Sequence, residues 1–293
     1  MADDLLRPGW RERRVRVGAL ALHLVEAGPE DGPLLILLHG FPEFWWAWRH
    51  QIGPLAAAGW RVAAPDMRGY GGSDAPRGVE AYRADRLADD VALLADALGA
   101  GRFNLVGHDW GGIVAWHAAA RYGTRIDRLA IMDAPHPEVW AGFMARHPTQ
   151  ALRSGYVAWF QLPLLPEATL RAFGFAGLRA TMRGTARPGV FTDAVLDRYA
   201  EAWARPGALA AMLNYYRALR LPAAGPVGRI APPTLVLWGG RDSFLDGGLA
   251  RESAAMCGDA RVAIVERATH WLHLEEPERV AGELLGHLGE ARP

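Results

Sequence analysis

The sequence predicts a mostly parallel, doubly wound α/β fold with a helical segment inserted late in the sheet. Short apolar runs typical of buried strands alternate with helical patterns along most of the 293 residues. The alternation stops between about residues 134 and 227, where aromatic residues, Leu and Ala are frequent and no strand pattern occurs. We therefore expect a core domain of residues 1–134 and 227–293, and a helical cap domain of residues 135–226.

The first two predicted strands form a hairpin, and six further apolar runs follow as strands of the sheet. Residues 34–38 read LLILL, a continuous apolar run that is typical of a strand buried on both faces. Residues 84–98 carry apolar side chains at helical spacing and predict an amphipathic helix between two strands. The predicted strands are 15–17, 20–25, 34–38, 61–64, 103–106, 126–132, 234–238 and 261–265.

Two proline-containing stretches bracket the predicted cap. Residues 134–137 read APHP and precede it, and residues 222–226 read PAAGP and follow it. Both resemble hinges, because proline restricts the backbone and lacks the amide hydrogen that a regular element uses.

The composition favours a small neutral ligand and excludes several kinds of chemistry. Thirty-two basic and 32 acidic residues balance, so the net charge indicates neither a nucleic acid nor a membrane surface as partner. The sequence contains no lysine, which excludes a Schiff base, a pyridoxal phosphate enzyme and a P-loop. The single cysteine, Cys257, excludes an internal disulfide and a cysteine-based metal cluster.

The sequence further predicts a cytoplasmic protein without cofactor or metal. Residues 1–16 lack the apolar stretch of a signal peptide, and no apolar run approaches the length of a membrane span. The glycines of residues 69–72 are not followed by a helix opening, so they do not indicate a dinucleotide site. His270 and His273 have a spacing compatible with a metal pair, but no carboxylate-histidine set completes such a site.

The turn in residues 105–112, LVGHDWGG, places an acid at its tip. Gly107-x-Asp109-x-Gly111 has the spacing of the G-x-S-x-G nucleophile elbow, where small flanking residues let the central side chain stand clear. A carboxylate is ionised at neutral pH, so Asp109 can act as a nucleophile without a general base. Its attack on a carbonyl would give a reactive anhydride, whereas attack on the saturated carbon of an epoxide or carbon-halogen bond gives a stable ester. Asp109 therefore favours alkyl transfer over ester hydrolysis.

Four motifs in order make the chain resemble an α/β-hydrolase along nearly its whole length. They are H-G-F-P from His39, G-H-D-W-G around Asp109, W-G-G-R-D ending at Asp242, and H-W at His270. Within that superfamily the sequence is most similar to the soluble-type epoxide hydrolases, an aspartate-nucleophile branch near the haloalkane and fluoroacetate dehalogenases. The resemblance implies the α/β-hydrolase fold and the conversion of a hydrophobic epoxide to a vicinal diol.

The resemblance also implies roles for individual residues around the covalent ester. His270 would activate the water that hydrolyses the ester, and the main-chain N–H groups of Phe41 and Trp110 would form the oxyanion hole. Tyr156 and Tyr216 of the cap would donate to the opening epoxide oxygen. We expect the remaining substrate-binding residues to be His39, Pro42, Phe160 and Trp271.

Two of these assignments have a competitor in the sequence. Asp242 and Asp133 each follow a strand at a point where a carboxylate could hold the tautomer of His270. Epoxide hydrolases mostly use the first position, so we favour Asp242 over Asp133. Tyr215 is the neighbour that competes with Tyr216 as the cap donor.

A haloalkane or haloacetate dehalogenase is the alternative function, because it shares the aspartate nucleophile. Haloalkane dehalogenases usually carry Asn where this chain has Phe41, and fluoroacetate-type enzymes place arginines just after the nucleophile, where Trp110, Ile113 and Val114 stand. A non-catalytic binding protein would need a broken catalytic set, and every expected position is filled. The sequence indicates neither the natural epoxide, its stereochemistry nor the oligomeric state.

Overall fold

The computed structural model describes residues 5–221 and 225–291, and these contain one eight-stranded sheet. Its presence, with helices between the strands, confirms the predicted fold class. In chain order the strands are β1 Arg11–Val17, β2 Leu20–Ala27, β3 Leu34–Leu38, β4 Arg61–Pro65, β5 Phe103–His108, β6 Ile126–Met132, β7 Thr234–Gly239 and β8 Ala260–Val265.

The strand order across the sheet is β1-β2-β4-β3-β5-β6-β7-β8. β2 is antiparallel to β1 and β4, whereas all other neighbouring strands are parallel. All residues of β3, β5 and β7 are buried, because helices cover the sheet on both faces. The carboxyl ends of these parallel strands lie at one edge, where open α/β sheets bind their ligands.

Twelve helices are present in the described residues, and the helix predicted over residues 84–98 is one of them. None of these helices has the length and apolar character needed to cross a membrane. They are α1 Ile52–Ala57, α2 Ala84–Ala97, α3 Trp110–Tyr122, α4 Pro137–Arg146, α5 Pro148–Arg153, α6 Gly155–Trp159, α7 Leu165–Thr185, α8 Asp193–Trp203, α9 Ala208–Ala218, α10 Gly248–Ala254, α11 Leu272–Glu275 and α12 Pro277–Leu288.

Helices α4 to α9 lie between β6 and β7, and their described residues contain no strand. Several hydrogen bonds connect this helical segment with loops at the carboxyl edge of the sheet, two of them to main-chain carbonyls after β3 and β4. The Trp203 indole donates to the Pro42 carbonyl at 2.6 Å, and the Tyr215 hydroxyl donates to the Arg68 carbonyl at 2.8 Å. The segment therefore covers the edge at which β3 and β4 end. The second predicted hinge, residues 222–226, lies partly outside the described residues.

The first turn of α3 lies directly against the end of β3. A Cβ added to Gly111 would be 2.2 Å from the carbonyl oxygen of Leu38, far inside van der Waals contact. This obstacle is main chain rather than a flexible side chain, so the position of α3 requires glycine at residue 111.

We expect Gly111→Ala to lower the free energy of unfolding by roughly 3 kcal/mol, because the added methyl must push α3 away from β3. Gly282→Ala is the matched control, since Gly282 is exposed within α12 and an added Cβ meets nothing within 4 Å. That change should raise the free energy of unfolding by about 0.5–1 kcal/mol through helix propensity. Urea unfolding followed by circular dichroism measures both values, and effects of the same sign would contradict the packing argument.

Candidate active site

Asp109 stands at the tip of the turn between β5 and α3 in an unusual backbone conformation. Its φ is 49° and its ψ is −118°, a region that costs free energy for a residue with a side chain. Close packing holds it there. A Cβ on Gly40 would lie 2.5 Å from the Asp109 Cβ, and one on Gly107 would lie 2.3 Å from the Gly111 carbonyl oxygen. The Asp109 N–H also donates to the Met132 carbonyl at 3.0 Å.

The Asp109 carboxylate lies between a main-chain donor and a histidine. Oδ1 accepts a hydrogen bond from the Phe41 N–H at 2.7 Å, and Oδ2 lies 3.6 Å from Nε2 of His270. Trp110 is the first residue of α3, so its N–H has no carbonyl partner within the helix. The side chain retains 18% exposure, which leaves the carboxylate open to a reacting molecule.

His270, in the loop after β8, contacts the carboxylate of Asp242. Its Nδ1 lies 2.8 Å from Asp242 Oδ2, while Oδ1 of Asp242 accepts from the N–H groups of Phe244 at 2.7 Å and Leu245 at 3.0 Å. Burial lowers the pKa of His270, but the charges and hydrogen bonds of Asp242 and Asp109 outweigh it and raise the pKa well above its usual value.

Asp133 follows β6, close to this pair, and does not bind the histidine ring. It is completely buried, its φ is 43°, and its Oδ1 accepts from the Gly239 N–H at 2.8 Å. Its Oδ2 has no hydrogen-bond partner in the described part of the chain. Burial raises the pKa of Asp133 well above its usual value, and the neighbouring Asp242 raises it further. Of the two candidate acids, the structure therefore brings Asp242 to His270.

Two tyrosines of the helical segment face the Asp109 region. The rings of Tyr156 in α6 and Tyr216 in α9 have centroids 5.8 Å apart. The Tyr216 ring also contacts the rings of Trp110, at 5.0 Å, and Phe41, at 5.3 Å. Burial raises the pKa of both tyrosines, with the Asp109 charge adding to the effect, so both hydroxyls keep their protons at neutral pH.

The Tyr215 ring also contacts the Trp110 ring, at 5.4 Å, but its hydroxyl is engaged elsewhere. Its ring is fully buried against Tyr70 and Tyr82, and its hydroxyl donates to the Arg68 carbonyl. Successive residues of a helix point about 100° apart, so only one of two adjacent tyrosines can face the site. The hydroxyl of Tyr215 is occupied on the far side of α9.

Aromatic rings form the wall around the two tyrosines. The Phe160 ring lies 5.7 Å from Phe41 and 4.9 Å from Tyr216. Phe244 closes the opposite side, with its centroid 5.1 Å from His270 and 6.1 Å from Tyr156. The sequence analysis missed Phe244, although its place two residues after Asp242 was a usable signal.

The other three residues that we expected to bind substrate, His39, Pro42 and Trp271, mainly hydrogen-bond to or pack against the residues around the site. His39 is completely buried, with Nδ1 donating to the Gly40 carbonyl at 3.0 Å and Nε2 accepting from the Met67 N–H at 3.1 Å. Both nitrogens of His39 are thus engaged by main chain. Pro42 is buried beneath the Trp203 indole, and Trp271 is 2% exposed and packs edge-on against the His270 ring at 5.3 Å.

A buried acid with two histidines lies behind the site and was also missed from sequence. Glu43 Oε2 lies 3.1 Å from His108 Nδ1, and Glu43 Oε1 lies 3.1 Å from His273 Nε2. The three side chains are completely buried, and their possible metal-ligating atoms lie within 4.8 Å of one another. The spacing of His270 and His273 was compatible with a metal pair, but we expected no metal site there, and in the structure His273 contacts Glu43.

Known proteins that are similar to this chain identify its family. A model of the alpha/beta hydrolase fold matches residues 33–277. The AB hydrolase superfamily protein YfhM of Bacillus subtilis is 43% identical over 275 residues, which cover 94% of this chain and 96% of that protein. Epoxide hydrolase 4 of Mus musculus is 36% identical, over 94% of this chain and 79% of its own length. A solved structure of epoxide hydrolases from metagenomes of hot environments has a TM-score of 0.85 at 34% identity, covering 95% and 98% of the two chains.

We expect Asp133→Asn to stabilise the protein at about pH 8 and to lose that gain toward pH 4. Because the pKa of Asp133 is raised in the folded state, the folded protein binds more protons than the unfolded one. Asp133 therefore lowers the free energy of unfolding increasingly as pH rises above its unfolded pKa of ~4. Asparagine keeps the oxygen that accepts from Gly239 and cannot ionise. Urea unfolding at both pH values measures the effect, with exposed Asp31→Asn as control. A gain that is equal at the two pH values would contradict the assignment.

Proposed function

This chain belongs to the alpha/beta hydrolase fold family, among its epoxide hydrolases, and we propose that it converts a hydrophobic epoxide to a vicinal diol through a covalent ester. The observation that carries the proposal is the Asp109 carboxylate, which lies between the Phe41 N–H and His270 and faces two protonated tyrosines. That set contains a nucleophile, a base for water and donors for the leaving oxygen. Similar proteins that are named epoxide hydrolases support the conversion of an epoxide.

The first step is alkylation of Asp109. Its Oδ2, which is not held by the Phe41 N–H, attacks one ring carbon of the epoxide, and the bond from that carbon to the epoxide oxygen breaks. The released oxygen takes a proton from the hydroxyl of Tyr156 or Tyr216. The product is an ester of Asp109 with a hydroxyl group on the neighbouring carbon.

The second step is hydrolysis of that ester. His270 removes a proton from a water molecule, and the resulting hydroxide attacks Cγ of Asp109. Oδ1 then carries the negative charge, which the N–H groups of Phe41 and Trp110 stabilise. The tetrahedral intermediate releases the diol oxygen, which takes the proton from His270. Asp109 is left as a carboxylic acid, and its proton passes by way of solvent to the tyrosinate, which restores both the Asp109 carboxylate and the tyrosine.

The change in charge at Asp109 prepares His270 for this second step. In the free enzyme the Asp109 carboxylate helps to hold the pKa of His270 high. Once Asp109 is an ester, that negative charge is gone and burial weighs more strongly. The pKa of His270 therefore falls after alkylation, which favours the neutral ring that can accept a proton from water. Asp242 keeps Nδ1 protonated and leaves Nε2 free to act as the base.

The aromatic wall defines the class of substrate. Phe41, Phe160, Phe244 and the two tyrosine rings present apolar faces, and the polar atoms that converge there are those used in the two steps. A hydrophobic epoxide fits such a surface, since burial of its apolar part supplies binding free energy. The two steps require water and side chains of this chain, without a redox or phosphate-bearing cofactor.

We expect His270→Gln to form the ester but to stall before its hydrolysis. Glutamine cannot remove the proton from water, while Asp109 remains free to attack. Intact-mass analysis after mixing with styrene oxide should show one adduct with the mass of the epoxide, mapped to the peptide containing Asp109. Asp109→Asn is the control and should remain unmodified.

Adduct-free His270→Gln that turns over at the normal rate would disprove this assignment. A parallel incubation of the unaltered protein with aryl epoxides and haloalkanes separates the two aspartate-nucleophile reactions. Diol formation supports the epoxide hydrolase, whereas halide release without diol formation would identify a dehalogenase.

We expect Tyr156→Phe or Tyr216→Phe to slow alkylation by about 10- to 1000-fold, since each removes one donor to the opening oxygen. The double change should remove nearly all alkylation. Stopped-flow tryptophan fluorescence in single turnovers measures the rate. Tyr215→Phe is the matched control and should leave alkylation unchanged, because its hydroxyl binds the Arg68 carbonyl. A normal alkylation rate in the double variant would place the donors elsewhere.

A further inference from the structure

Large apolar side chains are exposed mainly on the helical part of the chain. Of those that are exposed in the described residues, all but Leu93 fall within residues 135–221, which contain the helical segment. Residues 162–173, which we call the apolar stretch, hold four of them, at Leu162, Leu164, Leu165 and Phe173. The exposed fraction is 80% for Leu164 and 96% for Phe173. Such a concentration of exposed apolar side chains marks a surface that contacts a partner.

The backbone of the apolar stretch is held in a conformation that keeps these side chains in solvent. The Arg217 guanidinium donates to the Leu162 carbonyl at 2.7 Å and forms an ion pair with Glu167 at 2.6 Å. Leu164 has a φ of 62° and Phe173 a φ of 50°, both in the left-handed region that costs free energy for residues with a side chain. The fold therefore fixes two strongly exposed apolar side chains at a cost that no intramolecular burial of their rings or methyl groups offsets.

The charge of the chain is divided between the helical part and the remainder. Residues 135–221 contain ten arginines and five carboxylate side chains, which gives a net charge of +5 with neutral histidines. The rest of the chain contains 22 basic and 27 acidic residues, which gives −5. We expected no membrane partner because the whole chain has no net charge, and that balance conceals this division. The part that exposes the apolar side chains is the part that attracts anions.

Arg171 places a positive charge within the apolar stretch itself. Its side chain is exposed, and it makes no hydrogen bond or ion pair with the residues that the structure describes. The carboxylate of the stretch belongs to Glu167, which is paired with Arg217. An unpaired cation beside leucine and phenylalanine is complementary to a surface with anionic groups outside and hydrocarbon beneath them.

We propose that the apolar stretch docks this protein on the surface of an anionic phospholipid bilayer. The leucine and phenylalanine side chains enter the boundary between headgroups and acyl chains, while Arg171 and the net positive helical part face the anionic headgroups. Charge argues against a second copy of this chain as the occupant. A symmetric contact through this face would bring together two parts that each have a net charge of +5.

Docking through the apolar stretch would hold the candidate active site beside the lipid. The stretch begins two residues after Phe160, whose ring belongs to the aromatic wall. Arg217, next to Tyr216 in α9, donates to the Phe160 carbonyl at 3.1 Å and so joins the wall to the stretch. Hydrophobic epoxides partition into lipid, so the bilayer would supply substrate to the site. This consequence rests on the proposed function, whereas the docking does not.

Co-sedimentation of the full chain with lipid vesicles tests the docking directly. We expect binding to phosphatidylcholine vesicles that contain about one-third phosphatidylglycerol, and roughly 10-fold weaker binding to vesicles of phosphatidylcholine alone. Salt at about 1 M should remove most of that difference, because it shortens the Debye length to about 3 Å. Equal binding to the two kinds of vesicle in dilute buffer, or binding to neither, would overturn the proposal.

Two substitutions test the apolar contribution. Leu164→Ser and Phe173→Ser should each weaken binding to the anionic vesicles by roughly 10-fold, because each removes apolar surface that the lipid would bury. Leu93→Ser is the matched control, since Leu93 is an exposed leucine of α2, outside residues 135–221. It should leave vesicle binding unchanged. Thermal unfolding identifies any variant that does not fold, and a loss in the control as large as in the two variants would contradict the assignment.

A charge reversal tests the electrostatic contribution. Arg171→Glu should weaken binding to the anionic vesicles by about 10-fold and leave binding to neutral vesicles unchanged. Arg77→Glu is the matched control, because Arg77 is also exposed and makes no hydrogen bond or ion pair with described residues, but lies outside residues 135–221. Both variants have the same net charge. Equal effects of the two changes would show that charge anywhere on the chain suffices, which would overturn the role of the apolar stretch.

Sedimentation velocity without lipid separates the bilayer from a second copy. We expect Phe173→Ser to leave the sedimentation coefficient unchanged. A dimer that this substitution dissociates would assign the apolar stretch to a second copy and overturn the proposal. Turnover of a water-soluble epoxide should also be unchanged in Phe173→Ser, because Phe173 lies outside the site. Absence of an ester on Asp109 in the His270→Gln variant would refute the proposed function and leave the vesicle result to stand.

Discussion

The arrangement of the site depends on how closely α3 approaches the end of β3. The absence of a Cβ at Gly111 lets the first turn of the helix rest on the Leu38 carbonyl, and Asp109 is forced into a left-handed conformation at the tip. From that position its carboxylate accepts a hydrogen bond from the Phe41 N–H. The free-energy cost of the strained backbone is therefore offset by packing in the core, which fixes the position of the Asp109 carboxylate.

Three carboxylates lie around His270, and their hydrogen-bond partners and burial differ. Asp242 accepts hydrogen bonds from two main-chain N–H groups and contacts His270, while Asp109 has one main-chain donor and partial exposure. Asp133 has one donor for two oxygens and full burial, which displaces its ionisation equilibrium toward the neutral acid. Three similar side chains thus have different electrostatic surroundings, because they differ in their hydrogen-bond partners and in their burial.

Local patterns predicted the strands and the turn at Asp109, because apolar runs and glycine spacing act within a few residues. The local sequence did not decide between Asp242 and Asp133, since they follow two neighbouring strands that end at the same edge of the sheet. Only the direction of each side chain separates them. Tyr215 and Tyr216 posed the same problem, because the rotation of α9 about its axis is set by packing. The buried cluster of Glu43, His108 and His273 joins segments that are distant in sequence, so no single motif revealed it.

The helical segment joins two strands that are neighbours in the sheet, β6 and β7, through residues 133 to 233. The chain entropy lost in closing such a connection rises only with the logarithm of its length, by about 0.6 kcal/mol for each doubling. The sheet is therefore almost indifferent to how many residues lie in this insertion. As far as chain entropy is concerned, the length of this connection can therefore change at little cost to the sheet that it joins.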